Sequence, residues 1–146
     1  MSNTYKLIIQ GTLPGLNEMI SCERKNRYAG AKLKKDAETL VRYHIRQQLR
    51  GKRPKTPVML YYRFFEPTRR RDKDNIASFA HKIIQDSLVK EGVLANDGWG
   101  YVEGFVDVFS VDKKKPRIEL TIIEPEEEQN ENTCRGFYRL MKRREN

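Results

Sequence analysis

Ile76, Phe79, Ala80, Ile83, Ile84 and Leu88 follow the i, i+3, i+4, i+7, i+8 spacing of a helix with one apolar face, and Gly92 stands where a C-terminal cap belongs. Such a stripe needs an apolar surface to cover it. Residues 58–65, just upstream, are dominated by β-branched and aromatic types and read as a buried strand that supplies that surface.

The flanking segments add to this nucleus. Residues 5–10 form a short β-rich run, closed by Gly11 and followed by the turn-prone Pro14-Gly15. Between 31 and 49, Leu33, Ala37, Leu40, Val41, His44 or Ile45, and Leu49 recur at helical spacing with Lys and Arg between them, until Gly51, Pro54 and Pro57 stop the helix. Residues 101–111 and 117–123 read as two strands joined through Asp112-Lys113-Lys114-Lys115-Pro116, and a hairpin is expected there. The order is β-α-β-α-β-β. The expected fold is therefore α+β: a single domain with a mixed four-stranded sheet and two main helices packed on it.

A chain of 146 residues suits one such domain. We place it at 1–123, with an acidic-then-basic tail at 124–146, in which Phe137, Leu140 and Met141 could form one amphipathic turn that docks. The chain carries 29 Lys+Arg against 20 Asp+Glu, a net charge of +9, which suits a polyanionic partner. Cys22 and Cys134 are far apart, and His44 and His81 are the only histidines, which argues against structural zinc or a disulfide framework. No signal-like start and no apolar run of membrane-spanning length is visible, so a soluble cytoplasmic protein with no membrane partner is expected.

Two acids interrupt the basic charge at one place. Arg69, Arg70 and Arg71 lead into Asp72, Lys73, Asp74 and Asn75 at the start of the periodic helix, and a third acid, Asp97, follows it within Asn96-Asp97-Gly98-Trp99. A phosphodiester nuclease would explain this, because Lys and Arg bind phosphates while clustered carboxylates hold the Mg²⁺ that activates water. The plainer reading is that Asp74 caps the helix and Asp72 softens local repulsion. Asn75, Lys82 and Asp86 fall within about 40° of one another around the helix. Lys82 and Asp86 could equally be a solvated i, i+4 ion pair.

As an ordered set, Asp72-Lys73-Asp74-Asn75, Lys82 with Asp86-Ser87-Leu88, Gly92-Val93 and Asn96-Asp97 resembles the RusA family of Holliday junction resolvases, from about residue 71 to 123. That resemblance implies that Asp72, Asp74 and Asp97 are metal-binding carboxylates and that Lys82 is the lysine near the scissile phosphate. It further implies a Mg²⁺-dependent homodimer acting on four-way DNA junctions, and a phage or prophage genome as a common source. Two departures stand out: the interval from Asn75 to Lys82 is four residues longer than in the family pattern, and Asn96 replaces the first acid of an Asp-Asp pair. Beside the acids, Arg69, Arg70, Arg71, Lys73 and Asn75 are candidate DNA contacts, and Trp99 could stack on an opened base.

Two other functions compete. A non-catalytic basic nucleic-acid-binding module would account for the charge but not for the acids. A nuclease of another class could use Asp107, Asp112 and Lys114 as a degenerate Asp…Asp-x-Lys site. Within the first reading, a helix over 76–91 is about 24 Å long, and the loop back to Asp97 reaches only about 20 Å. A site within one chain is expected, since folding back on the same sheet needs no intertwining, with donation of Asp97 by a partner as the alternative.

Overall fold

The computed structural model describes residues 3–126, so most of the tail, including Phe137, Leu140 and Met141, lies outside the described residues. Seven elements follow one another: β1 (Thr4–Gln10), α1 (Leu16–Lys25), α2 (Arg27–Gln48), β2 (Val58–Glu66), α3 (Lys73–Lys90), β3 (Val102–Val111) and β4 (Arg117–Ile123). They build the expected single α+β domain around a mixed four-stranded sheet, with α2 and α3 as the two main helices.

The strand order is β1-β4-β2-β3. β4 runs antiparallel to both β1 and β2, while β2 and β3 are parallel. The expected hairpin between β3 and β4 is thus corrected: β2 lies between them. Two inter-strand spacings amount to about 9.6 Å, which residues 112–116 cross with ease. On the way, the Asp112 amide donates to the Glu66 carbonyl at 2.8 Å, so the connection closes the end of β2.

Periodicity explains which side is covered. Leu7 and Ile9 of β1, Leu60, Tyr62 and Phe64 of β2, and Ile118, Leu120 and Ile122 of β4 point to one face and are buried. Ala37, Val41 and Ile45 of α2 and Ile76, Ala80, Ile83, Ile84 and Leu88 of α3 close over them. Burial pushes the Tyr62 hydroxyl above the ordinary tyrosine range, so it stays neutral beside the Gln85 amide. Gly92 takes φ of 74°, as a left-handed cap requires, and its amide donates to the Val89 carbonyl at 3.0 Å.

The helix α1 was not foreseen. It buries no residue fully, so its apolar signal is weak, yet Glu18 in its first turn and Arg24 and Lys25 in its last match the helix dipole. Asn26 then caps α2 by accepting from the Ala29 amide at 2.8 Å. Glu124, assigned above to the tail, is buried in the domain, where it accepts from the Tyr5 hydroxyl and the Lys55 amide.

Candidate functional site at the start of α3

The carboxylate end of β2 and the first turn of α3 are linked by the loop 67–72, and Arg71 holds that loop in place. Its guanidinium makes a two-pronged contact with the buried Glu66 carboxylate, at 2.8 and 3.1 Å, and donates to the Leu13 carbonyl at 2.9 Å. A guanidinium with its fork so occupied anchors the loop. Arg71 therefore has a structural duty beside the phosphate contact expected of it.

Asn75 is similarly engaged. Its Oδ1 accepts from the Asn17 amide at 2.8 Å and so fixes the start of α1 against the start of α3. The contact is close enough that a Cβ on Gly15 would lie 2.6 Å from that oxygen, which explains the glycine.

These anchors leave Asp72 and Asp74 outside the network. Asp72 is the N-cap residue of α3 by position, but its side chain makes no capping hydrogen bond. Asp74 sits in the first turn, and both carboxylates are exposed. Neither carboxylate makes a hydrogen bond or ion pair among the described residues, so the capping reading does not account for them. Both border an open cleft of about 740 Å³, walled also by Arg69, Lys73, Phe109 and Val111. The Lys73 ammonium sits 5.8 Å from the centre of the Phe109 ring.

The remaining candidates lie elsewhere. Lys82 is exposed and 3.4 Å from Asp86, a solvated i, i+4 pair two turns along α3 and outside the cleft wall. Its position is about 12 Å along the axis from Asp74. Arg70 is exposed beside the cleft rather than in its wall. Asp97 and Trp99 occupy the loop before β3, next to the start of β2, where the Val58 amide donates to the Tyr101 carbonyl. Asp72 and Asp74 are at the opposite end of the same strands, where Glu66 pairs with Val111. The nine residues of β2 alone span roughly 26 Å at about 3.3 Å per residue. Within one chain, then, Asp97 does not join the other two acids, and the expectation of a site contained in one chain is corrected.

The residues of the rival nuclease site are also dispersed into structural duties. Asp107 pairs with His81 at 2.7 Å. Asp112 accepts from the Lys115 and Lys114 amides and from Arg117, contacts that hold its carboxyl below the ordinary range. Glu66, Phe109 and Val111 were missed as site residues. The only sequence signal for them was their place at strand ends, next to the acidic-basic loop.

Among the described residues, no three His, Cys, Asp or Glu side chains gather in one chain as a metal cage. Asp72 and Asp74 nonetheless offer hard oxygen donors in an open, cationic cleft, and Mg²⁺ is commonly held by one or two carboxylates plus water and substrate phosphate. The donor set fits such an ion. Compared with known proteins, the chain matches no family model and no curated relative.

Proposed function

We propose that this protein is a Mg²⁺-dependent, structure-selective endonuclease that resolves four-way DNA junctions by paired symmetric nicks, in recombination and repair. The observation that carries the reading is the pair of exposed, uncommitted carboxylates, Asp72 and Asp74, set in a cleft with Arg69 and Lys73. Acids left unpaired beside cations, at a position where neither serves as a cap, are accounted for if they hold a cation against a phosphate.

In this reading Asp72 and Asp74 would hold the ion, whose chemistry is to neutralise phosphate charge and lower the pKa of bound water. Arg69 and Lys73 draw the phosphodiester into the cleft, and Arg71 keeps the loop rigid through Glu66. Lys73, not Lys82, is then the lysine placed to stabilise charge on the reacting phosphate. Asp97 and Trp99 can take part only if a second copy brings them, and a two-fold dimer also matches the two equivalent strands of a junction.

The test is cleavage of a synthetic four-way junction beside linear duplex, in Mg²⁺ and in EDTA. Symmetric nicks confined to the junction in Mg²⁺ are expected. Tight junction binding with no metal-dependent nicking would replace this reading with that of a binding module.

A further inference from the structure

Several cations of the domain are neutralised where they stand: Arg42 and Arg46 pair with Glu91, Lys90 with Glu38, and Arg117 with Asp112 and Glu119. The end of α1 and the start of α2 are built the opposite way. Residues 24–35 hold Arg24, Lys25, Arg27, Lys32, Lys34 and Lys35 and no Asp or Glu. None of these six side chains makes an ion pair among the described residues, and all but Lys34 are exposed. The segment also stands away from the core, to which none of the described residues between 20 and 36 belongs. The two helices hold each other instead: a Cβ on Gly30 of α2 would lie 2.7 Å from Cγ of Glu23 on α1. At the turn between them the Tyr28 ring is 87 % exposed, flanked by Arg27 and Lys25.

We propose that this helical hairpin is a binding arm for an unpaired stretch of nucleic acid, separate from the cleft: Arg24, Lys25 and Arg27 take the phosphates and Tyr28 stacks on a base. Uncompensated cations on a surface complement a polyanion, and each phosphate they neutralise releases counterions. Phosphate contacts alone hold any nucleic acid and do not distinguish one form from another. The exposed ring supplies the distinction, because stacking on a side chain requires a base that has left its own stack, and it accepts any base.

The root of the arm is tied to the cleft. The Asn17 amide of α1 donates to Asn75 in the first turn of α3, and Glu18 lies 3.5 Å from Arg71 of the cleft loop. The ten residues of α1 extend about 15 Å, so the tip stands about that far from the root. At about 3.4 Å per nucleotide this is a reach of about four nucleotides. Under the nuclease reading above, on which this step rests, a strand with one phosphate in the cleft meets Tyr28 about four nucleotides away, and the arm favours DNA opened at that distance.

The test is binding of the full chain to fluorescent oligothymidine and to a linear duplex of equal length, followed by anisotropy in EDTA across a salt titration. Arg24→Gln/Lys25→Gln/Arg27→Gln should flatten the log-log salt slope on oligothymidine by about 2, at about 0.7 per lost phosphate contact. Lys6→Gln/Arg50→Gln/Lys52→Gln removes the same charge outside the arm and should leave the slope in place. Tyr28→Ala should weaken oligothymidine binding by about 5- to 150-fold, the range for one stacked base, with duplex binding held within about twofold, and Tyr28→Trp should retain the wild-type preference. Far-ultraviolet spectra establish that each variant is folded. Equal flattening by the two triple variants, or none by either, overturns the phosphate grip. A Tyr28→Ala protein that loses nothing, or loses equally on both probes, overturns the stacking. Because cleavage is absent from these measurements, failure of the arm leaves the nuclease reading standing, and an arm that passes in a protein that never nicks junctions in Mg²⁺ removes that reading alone.

Discussion

His81 Nε2 lies 2.7 Å from Oδ1 of Asp107, and this contact ties the edge strand β3 to α3. An ionised carboxylate can only accept, so the imidazole donates from Nε2. The His81 ring also packs against Tyr62 and Phe105, with centroids 4.7 and 4.4 Å away. Asp107→Ala should therefore cost about 1.5–3 kcal/mol, the range for hydrogen bonds to charged groups. Asp107→Asn, which keeps an acceptor oxygen, should cost less. Urea unfolding measures the difference, and faster amide exchange confined to β3 would show that the edge strand is what loosens.

Replacing Asp72 or Asp74 with Asn should abolish nicking while junction binding persists or tightens, because a metal ligand is lost but phosphate repulsion falls. Full Mg²⁺-dependent turnover by both variants would defeat the assignment.

The two lysines separate by position. Lys73→Ala should slow single-turnover nicking by about 100-fold, the lower end for losing a donor to developing charge. Lys82→Ala, which breaks only a solvated pair with Asp86, should leave rate and affinity within about twofold. The opposite order of effects would return the catalytic role to Lys82.

Gly15→Ala should destabilise the protein by about 1–3 kcal/mol, the usual cost of forcing a side chain into filled space. The added methyl would stand 2.6 Å from Asn75 Oδ1 and displace its hydrogen bond to the Asn17 amide. Asn75→Ala in the same background should relieve part of the cost, which a double-mutant cycle by thermal unfolding can measure.

Acid should weaken the join between α2 and α3. The Arg46 and Arg42 guanidiniums hold the Glu91 carboxyl below its ordinary value of 4.5. A depressed carboxylate contributes stability that is present above its unfolded pKa and lost as pH falls through the folded one. Glu91→Gln should therefore reduce stability most above pH 4.5 and converge on wild type at lower pH. Parallel urea midpoints across that range provide the check, and a constant difference would exclude the ion pair as the cause.

How much of this was legible in the sequence differs from residue to residue. The stripe from Ile76 to Leu88 and the strands at 5–10, 58–65 and 117–123 were readable, because helical spacing and β-forming composition are local properties of the chain. The same holds for the placement of Asp72 and Asp74 at a helix start. Neighbours across the sheet were not readable. β4 enters between β1 and β2 rather than beside β3, and nothing in a strand's own period says which strand it joins. Arg71 and Asn75 looked like free polar residues in a basic run, and only their meetings with Glu66, Leu13 and Asn17, brought close by the fold, turned them into anchors. Likewise Asp97 follows Asp74 by only one helix and a short loop along the chain, but lies at the opposite end of the strands from it in space. An 18-residue helix and the strands beside it set that distance, and a side-chain motif carries no record of it.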